Sequence, residues 1–171
     1  MPTITLLKHA DYKKEISLEA CKLSGLMTDM LGDETDAELP FDTVEPATMD
    51  KVLVFLEYHK SNPMNTIAKP ITTAVIKEIV GEWDANFIAL EDDQETLVDL
   101  ILAANYLNCA SLLDLGILKI ASLIKDKEPD QIKDIFHIDK DITPEEEKQV
   151  RESNLWVFEL GEKKDEAAAQ Q

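Results

Sequence analysis

The sequence predicts an α/β fold of the α+β type, with a few short strands near the amino terminus followed by helices. Two β-prone runs, at residues 3–7 and 12–16, flank a polar turn and are typical of a hairpin. A third short strand is predicted at residues 39–41. Helix-start residues and helical periodicity dominate the rest of the chain, so helices are expected to form most of the fold.

Short helices are predicted directly after the hairpin. Ser17 and Ser24 are each placed to cap one of them, and Gly32 is placed to end the second. Residues 28–45 contain seven acidic residues and no basic one. We interpret this acidic run as a solvated loop that holds the third strand.

The next predicted helix covers residues 48–60, with Thr48 as its N-cap. Its apolar positions follow the helical repeat, at Met49, Val52, Leu53 and Leu56. Residues 61–70 are predicted to form a loop, and residues 71–80 fit either a helix or a strand. A further short helix is expected to begin near Trp83.

Residues 94–108 are predicted to form a helix capped by Asp92 or Asp93, whose charge favours the positive end of the helix dipole. Apolar residues cover nearly its whole circumference, at Leu97, Val98, Leu100, Ile101, Leu102, Ala103, Ala104 and Leu107. A helix that is apolar on all sides is expected to be buried on all sides.

A second strongly apolar helix is predicted to extend to Ile124, with Ser111 and Asp114 forming a start that resembles a capping box. Two explanations remain open for so much apolar helical surface. It either belongs to a large core, or it forms a groove that a helix from a partner protein fills.

The carboxy-terminal part is predicted to contain two short helices and a tail. Pro129 is suited to the first turn of one helix. Residues 143–146, Thr-Pro-Glu-Glu, combine a cap, a proline at the first position and a glutamate at the third, and so predict a helix to about Glu152. Val150 is its single clear apolar residue, so partner packing would have to stabilise it.

The charge of the chain excludes several classes of function. Its 171 residues include 35 acidic and 17 basic ones, which gives a net charge of −18. Nucleic acid and anionic membranes would repel such a surface, since both are bound through Lys and Arg. No apolar run reaches the length of a membrane helix, and no secretory signal pattern is present. A basic protein partner is favoured instead.

No catalytic, cofactor-binding or metal-binding motif is recognisable. The chain has only five glycines and no phosphate loop or dinucleotide motif. His9, His59 and His137 lie in unrelated segments without ligand spacing, and each is expected at the surface or its rim. Cys21 and Cys109 are too few for a disulfide framework, and Cys109 is expected to be a buried, inert thiol. A non-enzymatic intracellular protein without a cofactor is predicted.

Several motifs in the second half of the chain resemble a known family. They are Trp83-Asp84, Leu100-Ile-Leu-Ala-Ala-Asn-Tyr-Leu107, Leu112-Leu-Asp114, Pro129-x-x-Ile132, Phe136-x-Ile138, Asp141-x-Thr-Pro-Glu-Glu-Glu147, Gln149-Val-Arg151 and Asn154-x-Trp156. They resemble the S-phase kinase-associated protein 1 family, the small adaptors of Skp–cullin–F-box (SCF) ubiquitin ligases. The likeness runs from Trp83 to Trp156, and residues 1–60 fit more loosely.

The resemblance implies a BTB/POZ-like domain with a small three-stranded sheet, followed by helices that bind an F-box. Residues 1–125 would form the cullin-binding domain, 126–160 the F-box-binding extension, and 161–171 a flexible tail. The cytoplasm and nucleus are the implied location, and self-association is expected when partners are absent.

The resemblance also implies which residues contact each partner. Asn105 and Tyr106 match the Asn-Tyr pair that contacts the cullin. The residues that fall on the F-box side are Leu113, Ile120, Phe136, Ile138 and Trp156. Pro144 occupies a position that some protist members hydroxylate and glycosylate, although a proline there also suits a helix start.

Some residues depart from the family pattern, and a second family has a related fold. Val157 stands where the family usually has cysteine, and residues 71–82 diverge from its polar linker. The alternative is a BTB/POZ protein of the elongin C type, which self-associates or serves another cullin complex. That type lacks the extension from Thr143 to Trp156, so the extension favours the SCF adaptor.

Overall fold

The computed structural model describes residues 3–8, 12–34, 37–90, 93–138 and 143–154, with only the backbone described for residues 3–8. The chain divides into two compact units, Met1–Glu128 and Pro129–Gln171. Among the described residues, no helix is both long and apolar enough to cross a membrane.

The strands form one small mixed sheet. Strand β1 (Thr3–Lys8) pairs antiparallel with β2 (Tyr12–Ser17) and parallel with β3 (Glu38–Pro40), which gives the order β2-β1-β3. Thr3 lies opposite Ser17. The predicted hairpin and third strand are thus confirmed, although the turn residues 9–11 lie outside the described part of the chain.

Helices form most of the described structure. Seven lie in the first unit: α1 (Leu18–Cys21), α2 (Gly25–Leu31), α3 (Pro46–His59), α4 (Ile76–Ile79), α5 (Glu82–Phe87), α6 (Gln94–Tyr106) and α7 (Ala110–Ile124). Two more lie in the second unit: α8 (Pro129–Ile135) and α9 (Pro144–Ser153). The stretch at residues 71–80, which the sequence left open, therefore contains one helical turn.

The predicted caps of α1, α2 and α6 are confirmed. The Oγ of Ser17 accepts a hydrogen bond from the Ala20 amide, and the Oγ of Ser24 accepts one from Met27 at 3.2 Å. Gly32 ends α2 with a φ of +55°, a conformation that glycine adopts without steric cost. Asp93 caps α6.

The predicted start of α3 is wrong by three residues, because the N-cap is Glu45 and not Thr48. The helix begins at Pro46, and Thr48 lies inside it, buried rather than at the cap. Proline at the first helical position fixes φ near the helical value and has no amide hydrogen to leave unsatisfied. It therefore starts the helix before Thr48 is reached.

The predicted capping box of α7 is also wrong. Cys109, not Ser111, is the N-cap residue, because α6 turns tightly into α7 at Asn108, whose φ is +53°. The Cys109 amide donates to the Ala104 carbonyl at 2.8 Å, which closes this turn. The carboxylate of Asp114 instead lies 3.1 Å from Nζ of Lys69.

The core of the first unit lies where α3, α6 and α7 pack together. Its most deeply buried large side chains include Phe55, Leu56, Leu97, Leu100, Leu112 and Leu115. Each such side chain contributes roughly 1.5–3 kcal/mol through burial. Helices α6 and α7 approach closely at Gly116, where an added Cβ would lie 2.5 Å from Cγ1 of Ile101.

Helix α6 is not buried on all sides, contrary to the prediction. Leu97, Leu100 and Ala104 are buried, but Val98 is exposed and Leu102 is 60% exposed. The helix packs against α3 and α7, and these two neighbours cover only part of its circumference. An apolar face is therefore left open in the chain by itself.

The expectation for His59 is wrong as well. Its side chain is buried at the end of α3, where Nε2 lies 2.8 Å from Oδ1 of Asp84 in α5. Aromatic side chains from both helices surround the ring, which explains its burial. His137 is exposed, as predicted, and His9 lies outside the described residues.

The acidic run at residues 28–45 is only partly a solvated loop. Its acidic side chains Asp33, Glu34, Glu38 and Asp42 are exposed. Leu39, Phe41 and Val44 alternate with exposed neighbours and are buried in the core. The run thus contributes the end of α2, a strand and, with Leu31, four buried apolar side chains to the first unit.

Candidate partner-binding surfaces

The first candidate surface is an apolar groove beside the last turns of α6. Its lining residues are Thr43, Val44, Glu45, Thr48, Asp99, Leu102, Ala103 and Tyr106, and its volume is about 210 Å³. Leu102 and Tyr106 are one helical turn apart, so their exposed side chains lie on the same face. The groove can accept an apolar side chain from a partner.

Asn105 and Tyr106 lie next to each other in the last turn of α6, and both are exposed. Tyr106 borders the groove, whereas Asn105 does not line it. An exposed amide and an exposed phenol can both donate and accept hydrogen bonds. This end of α6 therefore combines polar contacts with an apolar groove.

The amino-terminal end of α2 fixes the turn that follows these two residues. The buried Oγ of Ser24 donates to the Leu107 carbonyl at 2.6 Å, and the Gly25 amide donates to the Asn108 carbonyl at 3.1 Å. An added Cβ at Gly25 would lie 2.3 Å from Nδ2 of Asn108, so a side chain there would displace that of Asn108. The close backbone contact holds the α6–α7 turn against the start of α2.

The second candidate surface is one face of α7. Leu113, Ile117, Ile120 and Ile124 follow at intervals of four, three and four residues, which places them on one side of the helix. Leu113 and Ile120 are half-buried, while Ile117 is 50% exposed and Ile124 is exposed. The opposite side carries the buried residues Leu112, Leu115 and Leu118.

Two of the predicted residues lie at the carboxy-terminal end of α8. Phe136 is half-buried, and its amide donates to the Ile132 carbonyl at 3.1 Å. His137 follows with a φ of +51°, and the side chain of Ile138 is exposed. The turn thus presents an apolar side chain that is open to contact.

Helix α9 has a complete cap but no buried residue. The Thr143 hydroxyl accepts from the Glu146 amide, and the Glu146 carboxylate accepts from the Thr143 amide at 2.8 Å. Val150 and Pro144 are both exposed. The predicted start of the helix is confirmed, whereas Trp156 lies outside the described residues.

The described residues contain no cluster of three or more His, Cys, Asp or Glu side chains that could hold a metal ion. Cys21 and Cys109 are buried free thiols, as predicted for Cys109. Burial raises the pKa of each to about 11, which keeps both in the unreactive thiol form at neutral pH.

Sequence reasoning missed three groups of residues on these surfaces. The apolar pattern of α6 has no polar side, so periodicity alone could not separate the exposed Val98 and Leu102 from the buried positions. Val44 lies in an acidic run, which concealed its place in the groove. Ile117 and Ile124 share the spacing of Leu113 and Ile120, and that spacing could have found them.

Exposed apolar faces of this kind are typical of proteins that bind other proteins. The family model described as "Skp1 family, dimerisation domain" matches residues 110–157. The chain is 44% identical over 146 residues to the S-phase kinase-associated protein 1 homolog of Tetrahymena thermophila, covering 85% of this chain and 87% of that protein.

Two fungal proteins are also similar to this chain, over a longer alignment. Each is called E3 ubiquitin ligase complex SCF subunit sconC, and each is 36% identical over 158 residues. The alignment with the protein from Arthroderma benhamiae covers 91% of this chain and 95% of that protein. The alignment with the protein from Aspergillus flavus covers 91% of this chain and 96% of that protein. The chain belongs to the Skp1 family.

Proposed function

We propose that this protein is a non-enzymatic adaptor of an SCF E3 ubiquitin ligase, linking a cullin scaffold to F-box substrate receptors. The observation that carries the proposal is the 44% identity to a Skp1 homolog over 85% of the chain. The two exposed apolar faces support it, since an adaptor needs one surface for each partner. Two relatives are named as subunits of an E3 ubiquitin ligase complex, and an adaptor role fits a subunit of such a complex.

The cullin contact is assigned to the end of α6. Asn105 and Tyr106 would make its polar contacts, and Leu102 would add apolar contact from the same face. The Ser24 hydroxyl would act only indirectly, by holding the α6–α7 turn through its bond to the Leu107 carbonyl. The exposure of Leu102, Asn105 and Tyr106 supports this assignment.

The F-box contact is assigned to α7 and the segments that follow it. The assigned residues are Leu113, Ile120, Phe136, Ile138 and Trp156, and Ile117 and Ile124 extend the same face of α7. Helix α9 has a cap but buries nothing in the chain by itself, so a bound F-box would supply its missing packing. Partner binding would then stabilise α9 by linkage.

The first 125 residues are assigned to a BTB/POZ-like domain, residues 126–160 to the F-box-binding extension, and 161–171 to a flexible tail. We assign the protein to the cytoplasm and nucleus. Without partners, its open apolar faces would favour self-association, and sedimentation over a range of concentrations measures this. A single monomeric species at all concentrations would contradict the last assignment.

The family resemblance makes Pro144 a candidate for hydroxylation and glycosylation, and a proline at this position also suits a helix start. Its exposed position at the first residue of α9 gives a modifying enzyme access to the ring. Intact-mass measurement on protein from its native source tests this, because hydroxylation adds the mass of one oxygen and glycosylation adds the mass of sugars. An unmodified peptide spanning Thr143 to Glu147 would leave only the helix-start role.

Binding experiments with two separate partners test the adaptor function. A purified F-box domain and the amino-terminal domain of a cullin are each titrated against the protein. We expect both to bind, and we expect all three proteins to elute as one complex. A folded protein that binds neither partner would overturn the proposal.

Paired variants separate the two surfaces. Asn105→Ala with Tyr106→Ala is expected to weaken cullin binding and leave F-box binding unchanged. Trp156→Ala is expected to weaken F-box binding by about 2 kcal/mol or more, the size typical of a buried aromatic anchor, and to leave the cullin unaffected. Each variant is the control for the other, and equal losses in both assays would contradict the assignment of separate surfaces.

A further inference from the structure

Residues 61–81 form an excursion that leaves the first unit at the end of α3 and returns at the start of α5. Its two ends meet at a neck. There the rings of Tyr58 and Trp83 stack in parallel with centroids 3.8 Å apart, and His59 meets Asp84 directly beside them. Two contacts, Tyr58 with Trp83 and His59 with Asp84, therefore close a loop of more than twenty residues.

The His59–Asp84 pair is almost fully removed from water. The two side chains are 3% and 7% exposed, and their facing atoms Nε2 and Oδ1 are 2.8 Å apart. Neither atom has a hydrogen-bond partner elsewhere among the described residues. Each atom therefore depends on the other for compensation of its burial.

The contacts of the His59 ring determine how many protons the His59–Asp84 pair holds. The other ring nitrogen of His59, Nδ1, lies 2.6 Å from the carbonyl oxygen of Asn62. A carbonyl can only accept, so Nδ1 carries a proton. In a neutral ring Nε2 would then present a lone pair to the carboxylate of Asp84. At this distance only one additional proton, held on either atom, makes the contact attractive.

The other charged and titratable groups near the ring have partners of their own. On α3, Lys60 pairs with Glu57, and Tyr58 stacks on Trp83. On the excursion and α7, Lys69 and Asp114 pair with each other. On α5, Glu82 pairs with Lys77. Asp84 is therefore the one acceptor in the described structure that faces Nε2.

The excursion packs on the first unit through half-buried apolar side chains. They are Met64, Ile67, Ile71, Ile76 and Ile79. Val80 is buried, but Val75 is exposed, and both ion pairs of the excursion, Lys69–Asp114 and Lys77–Glu82, are open to solvent. An exposed ion pair adds little stability. The neck is therefore the best-defined polar attachment of the excursion.

We propose that His59 and Asp84 share one buried proton and act as a clamp on the neck of residues 61–81. Loss of the proton leaves a buried carboxylate facing a lone pair, and the excursion then opens more readily than the rest of the unit. The clamp is a proton-sensitive device within the fold, and it involves no partner protein.

Amide hydrogen exchange between pH 6 and pH 9 tests the clamp, with rates corrected for the intrinsic rate at each pH. In the wild-type chain, the opening equilibrium of residues 63–80 is expected to rise with pH, by up to about tenfold per pH unit while the shared proton is lost. The amides of α6 and α7 report global unfolding. If residues 63–80 open only together with those helices, the proposal fails.

Asp84→Asn is the matched variant. Its side-chain amide can donate to the neutral ring, so the pair keeps its shape without the extra proton. We expect this variant to lose the pH dependence of opening. Glu78→Gln removes an exposed carboxylate within the excursion itself and is expected to keep the pH dependence. The same pH slope in wild type and Asp84→Asn would overturn the proposal.

A direct measurement covers the case in which Asp84→Asn does not fold. Nuclear magnetic resonance of the wild-type chain gives the ring nitrogen shifts of His59 and the carboxyl carbon shift of Asp84 at pH 7.5. We expect either an imidazolium with a carboxylate or a neutral ring with a protonated carboxyl group. The exposed His137 is the internal reference. A neutral ring together with an ionised Asp84 would exclude the shared proton.

Discussion

Helices α7 and α9 differ in what holds each of them in place. Helix α7 has no side-chain cap, yet it buries Leu112, Leu115 and Leu118 in the core. Helix α9 has a complete capping box and buries no residue. A cap contributes about 1 kcal/mol, whereas each fully buried leucine contributes roughly 1.5–3 kcal/mol. Burial therefore determines the stability of α7, and local bonds determine that of α9.

This difference bears on the proposed function. Because α7 is part of the core, its outer face is a rigid surface that exists before a partner binds. Helix α9 lacks such support, so binding has to order or hold it, at a cost to affinity. The proposed F-box site thus combines a preformed part with a part whose stability depends on the partner.

The largest expected effect is the loss of stability when a buried side chain of α7 is shortened. Leu115→Ala is expected to lower the free energy of unfolding by about 2–5 kcal/mol, because the fully buried side chain leaves a cavity. Denaturant unfolding measures this. Ile117→Ala, two residues away on the open face, is the control and is expected to change stability by less than about 0.5 kcal/mol. Equal losses would show that both faces of α7 are covered.

The next largest expected effect is the loss of stability of α9 when its cap is removed. Thr143→Ala removes the hydroxyl that accepts from the Glu146 amide and is expected to destabilise the helix by about 1 kcal/mol. Amide exchange of residues 146–153 measures this. Ser111→Ala is the matched control, since Ser111 is not the cap of α7 and its replacement should leave α7 unchanged. If Ser111→Ala lowered amide protection in α7 while Thr143→Ala left α9 unchanged, α7 and not α9 would depend on a cap.

The smallest effect is a dependence of α9 on pH. The Thr143 amide and hydroxyl donate to the Glu146 carboxylate and lower its pKa below the ordinary 4.5. The ionised Glu146 carboxylate therefore stabilises α9 fully above about pH 4.5. This stabilisation is lost as the pH falls through the lowered pKa. Circular dichroism and exchange at α9 should report partial loss of helix in this range. Glu146→Gln should remove that dependence, and an unchanged acid profile would contradict it.

The parts of the fold set by local chemistry were predictable from the sequence. The hairpin, the caps Ser17, Ser24 and Asp93, and the start of α9 depend on residues close to each other in the chain. The starts of α3 and α7 were not predictable, because two nearby positions could each begin the helix. Pro46 in one case and the tight turn at Asn108 in the other decided between them.

The candidate site was only partly predictable. Asn105, Tyr106, Leu113 and Ile120 followed from the resemblance to the family, and their partners stay a prediction. The exposure of Leu102 and the burial of His59 could not be predicted from local sequence. Each depends on which distant helices cover it.

By itself, the sequence determined the family, the order of strands and helices, and an acidic surface unsuited to nucleic acid. These depend on composition, on motif spacing and on bonds between near neighbours. Only the tertiary structure decided which apolar side chains of α6 and α7 remain open, and that His59 and Asp84 meet in the interior. Periodicity marks a helix as apolar, but burial is settled by the elements that pack against it.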